Sequence, residues 1–290
     1  MKRKFTTVLL TLVLLAGLAI MLYPAASDYY NSFHQSRAIA HYAEAIANID
    51  AETYERLWRE ATEYNQSLAG RENPFFLSEA EQEEYNRILN YSGDGIMGYI
   101  SIPKINCELP IYHTTEESVL QIAIGHIEGS SMPVGGESSH CVLSGHRGLP
   151  SAKLFSNLDR LGTGDTFVLR VLDETLTYEV DQIRTVLPNE MQDLYIEPGR
   201  DYCTLVTCTP YGINTHRLLV RGHRVDNAAE ALNIRVTADA LKVDSRLVAS
   251  AAAAPLLILV MVWVFAGGKP AVKKPKKMTP KSETERRDRQ

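Results

Sequence analysis

The 290-residue chain is poor in cysteine and tryptophan, and it carries no excess of positive charge. Its net charge of −5 argues against a nucleic-acid partner, because nucleic-acid binding needs a broad basic surface. Four cysteines in so long a chain do not demand a disulfide framework. No acidic cluster indicates a calcium site, and we expect neither a metal ion nor a cofactor.

Long uncharged runs, by contrast, are present near both ends. A basic cluster at residues 1–4 precedes an uncharged run at 5–23, and a second run at 247–267 precedes a lysine-rich tail. A membrane-spanning helix needs about 20 apolar residues, so both runs are long enough to span. The alternatives are a cleaved signal peptide for the first run and a buried core helix for the second.

The flanking basic residues predict the topology. Because they stand on the outer side of each run, both termini are expected in the cytoplasm, and residues 24–246 outside a cell membrane crossed twice. The predicted organisation is a basic cluster and anchor at 1–23, a helical part at 24–92, a β domain at 93–226, a spacer at 227–246, a second membrane helix at 247–267 and a basic, disordered tail at 268–290.

Residues 24–92 read as a helical hairpin followed by a loop. Apolar residues recur every three or four positions, and Asp50 is placed to cap the second helix. The loop contains Asn73, Pro74 and Phe75, and Ser78 restarts a helix. Its two aromatic residues could instead be a hydrophobic staple that packs onto the domain.

The pattern of apolar residues changes after residue 93. Seven short apolar or alternating runs follow, divided by glycine, proline and aspartate: "GIMGYISIP", "CELPIYH", "HCVLSGH", "DTFVLRVL", "TLTYEVDQIRTVL", "YCTLVTC" and "HRLLVRGHR". Many short strands of this kind are typical of a mainly-β barrel or sandwich.

Three residues at the ends of these runs could carry acyl-transfer chemistry. Cys208 ends "YCTLVTC" and His146 ends "HCVLSGH", so strands that finish at one rim would bring the thiol to the imidazole. Arg217 opens the next run, and its guanidinium could donate hydrogen bonds to an oxyanion. The alternative for the arginine is a solvated strand edge.

Two other readings concern the cysteines. Cys203, Cys208, His216 and His223 could be zinc ligands, but their spacing matches no common zinc module. Cys141 and Cys203 each precede a proposed active-site residue by five positions. If the two strands are parallel, these thiols lie at one level and on the opposite face, either as buried apolar residues or as a disulfide or close thiol pair.

The segments "TLVTCTPYGINTHRLLVRGHR" and "LSGHRGLPSAKLF" resemble the cysteine and histidine motifs of the sortases. The N-terminal helices, the loop and the second apolar run resemble the class C sortases, which polymerise pilins. The resemblance covers about residues 93–225 and implies a closed sortase-type β-barrel with short helices, preceded by the hairpin and a lid loop. It also implies catalysis by Cys208, His146 and Arg217.

The implied reaction is transpeptidation of pilin subunits. Cys208 would cleave an LPxTG-like sorting signal between Thr and Gly, and a lysine of another pilin would resolve the acyl-enzyme into an isopeptide bond. The alternatives are a cell-wall hydrolase or protease with water as acceptor, and a non-catalytic surface module.

Class C sortases often have a lid with an Asp-Pro-aromatic motif. The matching residues here are Asn73, Pro74 and Phe75, so a neutral amide replaces the aspartate. Because an amide cannot form an ion pair, we expect a looser lid, with Phe75 or Phe76 still covering the thiol.

Overall fold

The computed structural model describes residues 2–71 and 73–227. The helices are α1 (Lys2–Ala47), α2 (Ala51–Leu68), α3 (Glu79–Arg87) and the one-turn α4 (Glu117–Leu120). The strands are β1 (Ile96–Ile102), β2 (Cys107–Tyr112), β3 (Ile124–His126), β4 (Ser139–Ser144), β5 (Thr166–Val171), β6 (Glu174–Val186), β7 (Asp201–Thr209) and β8 (His216–Val225). The predicted second membrane run, the tail and all but the first residue of the spacer lie outside the described residues.

Helix α1 continues from the first apolar run into the predicted hairpin, with Pro24 inside it. Within the described residues, one helical stretch, Leu9–Ala47, is long and apolar enough to cross a membrane. The mean hydropathy of its apolar window is 2.2, and none of that window is buried. Membrane anchors and signal sequences both have such a helix, so this finding favours neither.

The last turns of α1 pack on the β domain. Ile39, Tyr42 and Ile46 are buried, in steps of three and four that form one helix face. The Tyr42 hydroxyl donates to the carbonyl of Met97 at 2.9 Å and accepts from the N–H of Leu172 at 2.8 Å. Because both partners belong to the β domain, the hairpin is part of its core.

The two predicted helix starts are confirmed. The Asp50 carboxylate accepts a hydrogen bond from the N–H of Thr53 at 2.8 Å and caps α2. Ser78 caps α3 in a reciprocal capping box with Glu81. Each cap satisfies backbone N–H groups that have no partner within the helix.

The eight strands form a closed barrel in the order β1-β2-β3-β4-β7-β8-β6-β5. The pairing of β1 with β5 closes the ring. The prediction of a mainly-β closed barrel is therefore confirmed. The seven apolar runs correspond to seven of the strands. The eighth, β3, has only three residues and leaves no periodic signal.

Tight packing inside the barrel requires a glycine on β8. Gly222 lies opposite Val180 and Cys203. A Cβ at this position would stand 2.8 Å from the Phe167 ring and 2.9 Å from Tyr178 Cβ. Both rings are fully buried and stack with centroids 5.6 Å apart, so they have no room to retreat.

We therefore expect Gly222→Ala to lower the free energy of unfolding by about 1–3 kcal/mol through overpacking. Urea unfolding followed by circular dichroism measures this change. Gly162→Ala is the matched control, because a Cβ there meets nothing closer than 3.8 Å. Equal stabilities of the two variants would contradict this account of the core.

Candidate active site

Two neighbouring parallel strands end at one rim of the barrel. In the pairing of β4 with β7, Ser144 lies opposite Val206. Gly145 extends the ladder, since its N–H donates to the Val206 carbonyl at 3.0 Å. Continuing this register brings His146 level with Cys208. The two strands are thus parallel, which is the condition on which Cys141 and Cys203 were expected to lie at one level.

The third strand brings the arginine to the same rim. β8 is antiparallel to β7, and Arg217 is the direct partner of Cys208 in their register. Directly opposed residues of an antiparallel pair project to the same side of the sheet. The side chains of Cys208 and Arg217 therefore share one face.

This face is the outer face of the barrel. Along β7, Cys203 and Leu205 belong to the barrel core, whereas Val206 belongs to a separate apolar cluster. Side chains alternate along a strand, so Cys208, two residues beyond Val206, lies on the side of that cluster. We call it the outer cluster. Its buried members are Val142, Val186, Leu194, Val206 and Leu219, with Phe75, Ile127 and Met191 packed against them.

All four cysteines are free thiols, and Cys208 is half-buried. Cys141 and Cys203 are direct cross-strand partners in the core, at one level as predicted, and both thiols are buried. Burial raises the pKa of the Cys203 thiol well above its usual value and raises that of Cys107 to about 12. Burial thus disfavours the thiolate form at both of these cysteines.

The imidazole of His146 is 27% exposed. Its Nε2 atom is buried and has no hydrogen-bond partner among the described residues, but it lies 3.6 Å from Oε2 of Glu117 on α4. A hydrogen bond from Gln121, and then the neighbouring His146, lower the pKa of the Glu117 carboxyl below its usual value. The Glu117 carboxylate is therefore a close neighbour of the His146 ring on the side of its Nε2 atom.

The Arg217 guanidinium is held by its own turn. Its Nη1 donates to the carbonyl of His216 at 3.1 Å and to that of Asn214 at 3.3 Å. Within the described part of the chain, its other N–H groups have no protein acceptor. They remain available for a carbonyl or an oxyanion of a bound peptide.

The segment from Asn73 to Phe75 packs on the outer cluster. Asn73 is exposed, Pro74 is buried, and the half-buried Phe75 ring contacts the cluster. Its centroid lies 5.8 Å from that of the Tyr195 ring. Phe76 is 78% exposed and is not part of the outer cluster. Of the two aromatic residues named by the sequence, Phe75 is the one that reaches the outer cluster.

The backbone of this segment rests on Gly129. This residue has φ +80°, and a Cβ there would stand 1.9 Å from the Pro74 carbonyl oxygen. The following α3 is tied to the segment by Glu81, which pairs with Arg71 at 2.6 Å. Hydrogen bonds from Ser78 and Arg71 lower the pKa of Glu81 to about 2.

The zinc alternative does not fit the strands. Cys203 points into the barrel core and Cys208 lies on the opposite face, so the two thiols cannot share a metal ion. The described residues contain no group of three potential ligands. His113, His126 and His140 are buried and hydrogen-bonded, which is typical of structural histidines.

Sequence reasoning missed two residues beside His146. Glu117 lies in a four-residue helix 29 positions before it, and no periodic pattern indicates that contact. Arg147 follows it directly, and its guanidinium pairs with Asp159 at 2.5 Å. The position of Arg147 next to His146 was the available signal. The sequence could not show where the Arg147 side chain points.

Known proteins share this fold. Residues 100–225 match the Sortase domain family. The crystal structure of sortase C1 from Streptococcus agalactiae is 53% identical with a TM-score of 0.64, and the match covers 66% of this chain and all of that one. For sortase C of Streptococcus pneumoniae the identity is 43%, the TM-score 0.58, and the coverage 67% and 98%.

Sortase D of Bacillus subtilis is 31% identical over 131 residues, which are 44% of this chain. The match spans 63% of that relative's length. The barrel, the motifs and the likeness to two streptococcal sortase C structures lead to one assignment. The chain belongs to the sortase family of cysteine transpeptidases, and within it to the class C sortases.

Proposed function

We propose that this class C sortase is a membrane-anchored transpeptidase that cleaves an LPxTG-like sorting signal and joins pilin subunits. The observation that carries the proposal is the shared register of β4, β7 and β8, which takes His146, Cys208 and Arg217 to one rim. The outer cluster leads along the same strands to that rim and offers an apolar surface for a peptide.

In the first half-reaction, the Cys208 thiolate attacks the carbonyl carbon of the threonine in the signal. The N–H groups of Arg217 that have no protein acceptor stabilise the oxyanion of the tetrahedral intermediate. Protonated His146 donates its proton to the departing glycine amine as the C–N bond breaks. The products are a Cys208 thioester and a peptide with a free amine.

In the second half-reaction, a lysine amine of another pilin attacks the thioester carbonyl. His146, now neutral, accepts the proton that this amine loses. The C–S bond breaks, the thiolate returns to Cys208, and an isopeptide bond remains. The net change exchanges one amide for another, so no further reactant is needed.

The membrane placement is part of the proposal. In this proposal the apolar helix Leu9–Ala47 is an N-terminal anchor, and a second span at 247–267 would leave both termini in the cytoplasm. Donor and acceptor pilins held in the same membrane would then meet the enzyme in two dimensions. This raises their effective concentration at the active site.

The full chain in detergent, incubated with an LPxTG-containing peptide, is expected to form a Cys208 thioester detectable by intact-protein mass spectrometry. Cys208→Ala should form none. His146→Ala should slow acylation about 10²- to 10⁴-fold, and Arg217→Gln about 10²- to 10³-fold. Cys107→Ala removes a different thiol and should acylate like the parent.

The acceptor decides between transpeptidation and hydrolysis. Adding a lysine-containing pilin peptide should convert the thioester into an isopeptide product and speed its decay. Decay at the same rate with and without the amine would indicate a hydrolase. An adduct that persists in Cys208→Ala would contradict the assigned nucleophile.

We infer that the segment from Asn73 to Phe75 is a lid seated on Gly129. Gly129→Ala should push the lid backbone away from its seat and speed alkylation of Cys208 by iodoacetamide up to about tenfold, which corresponds to about 1.4 kcal/mol. Gly164→Ala is the matched control, because Gly164 has φ +89° and open space around its Cβ position. Equal alkylation rates of the two variants would show that the lid does not guard the thiol.

The amide at Asn73 predicts a loosely held lid. Asn73→Asp restores the charge of the Asp-Pro-aromatic motif. The carboxylate could then form an ion pair with an arginine or an imidazolium, which an amide cannot. We expect slower hydrolysis of an LPxTG-containing peptide, by up to about fivefold for an ion pair of about 1 kcal/mol. Hydrolysis no slower than that of the parent would disprove this role of residue 73.

A further inference from the structure

A buried charge stands directly beside the proposed general acid. The Arg147 side chain is only 9% exposed, although arginine is almost never buried unless it is paired. It follows His146 in the loop after β4. A charge in this place needs a structural or functional reason, and its partners indicate which.

The partners of Arg147 come from two directions. On one side, Nη2 pairs with the Asp159 carboxylate at 2.5 Å. On the other side, Nη1 donates to the Thr209 hydroxyl at 3.4 Å, and the cation lies 5.8 Å from the centroid of the Tyr211 ring. Thr209 is the residue after Cys208. Arg147, the residue after the proposed acid His146, therefore contacts the residue after the nucleophile.

This link begins where the backbone ladder ends. β4 stops at Ser144, and the last contacts between the two strands are the Gly145 N–H to Val206 and the Thr207 hydroxyl to the Gly145 carbonyl at 2.7 Å. Past this point, backbone pairing no longer sets the separation of His146 from Cys208. The side chain of Arg147 bridges the next step.

The Asp159 end of the bridge is fixed by a folded loop. The N–H of Phe155 donates to the His146 carbonyl at 3.1 Å, and the N–H of Gly148 donates to the Ser156 hydroxyl at 3.0 Å. Phe155 and Leu158 are fully buried. These contacts attach the backbone of the loop before Asp159 to the core, while the Asp159 side chain itself is 47% exposed.

Stability alone does not explain such a group. The carboxylate of this ion pair is 47% exposed, and ion pairs open to solvent contribute little net stability. The Nε atom of Arg147 is also buried without a partner among the described residues, which is a further cost. What the planar guanidinium offers is geometry, since it can engage a carboxylate, a hydroxyl and a ring face together.

We propose that Arg147 is a positioning residue that sets the distance between the His146 imidazole and the Cys208 thiol. It does so by bridging Asp159 to Thr209 and Tyr211 across the rim. A displacement of about 1 Å between reacting groups can cost about 100-fold in rate. The inference deepens the proposed function, on which its kinetic part rests.

The test compares Arg147→Met and Arg147→Lys with the parent, as full chains in detergent. Arg147→Met should lower kcat for thioester formation about 100-fold with KM within about twofold, because the bridge does not touch the peptide. Arg147→Lys keeps the charge but not the fork and should lose about tenfold. Rates are expressed per folded molecule, counted as the fraction in which the buried Cys141 and Cys203 resist alkylation, so that misfolded molecules do not count.

Two further variants separate positioning from folding. Asp159→Asn leaves Arg147 in place but weakens its anchor, and should lower kcat about tenfold with little change in melting temperature. Arg160→Met, at the exposed neighbour on the same turn, is the matched control and should behave like the parent. A loss of melting temperature with unchanged kcat per site would mean a purely structural role and would overturn the inference.

Alkylation of Cys208 at neutral pH gives a readout that needs no peptide. If Arg147 brings the imidazole to the thiol, Arg147→Met should slow iodoacetamide alkylation about tenfold, because the thiolate is the reactive form. If the parent forms no thioester, the proposed function fails. The alkylation experiment still tests whether Arg147 positions His146 beside Cys208. Should Arg147→Met not fold, Arg147→Lys decides, and parental rates in both assays would overturn the inference.

Discussion

The parallel pairing of β4 with β7 is the constraint on which the active site depends. More than 50 residues of chain separate the two strands. This intervening chain contains β5 and β6, which are not neighbours of either strand in the barrel. A slip of one residue would reverse the faces, so that Cys208 would enter the core and Cys203 would leave it. The residues of both strands oppose such a slip, because it would carry His140 and Thr204 into the core and take Leu143 and Leu205 out of it.

The helical part also contacts the active-site region. On one face of α1, the Asp28 carboxylate pairs with Lys153 at 2.8 Å, and the Asn31 amide donates to the Ser151 carbonyl at 2.8 Å. A turn further on, the Gln35 amide donates to the Ile122 carbonyl at 2.6 Å, just after α4. The helix that contains the apolar run therefore braces the loops on both sides of His146.

Local signals in the sequence predicted much of this arrangement, and long-range contacts account for what was missed. The caps at Asp50 and Ser78 and the alternation of seven strands depend on neighbouring residues, so they can be read directly. Strand order and the three-residue β3 depend on partners far along the chain. The roles of Glu117 and Arg147 escaped for the same reason, since each is defined by a contact across the rim.

The same distinction applies to the lid. Its assignment stays a prediction from a local motif, and the contacts that hold the segment in place cannot be read from that motif. Asn73 is exposed and carries no charge, so closure depends on the Phe75 ring, its contact with Tyr195 and the seat at Gly129. A fully buried phenylalanine contributes about 1.5–3 kcal/mol, and a half-buried ring about half of that. The proposed lid, held by about 0.75–1.5 kcal/mol, would be open in roughly one molecule in five to one in fourteen. In the proposed reaction, an apolar side chain of the peptide would then take the place of Phe75 on the outer cluster, so that the substrate itself would replace the lid.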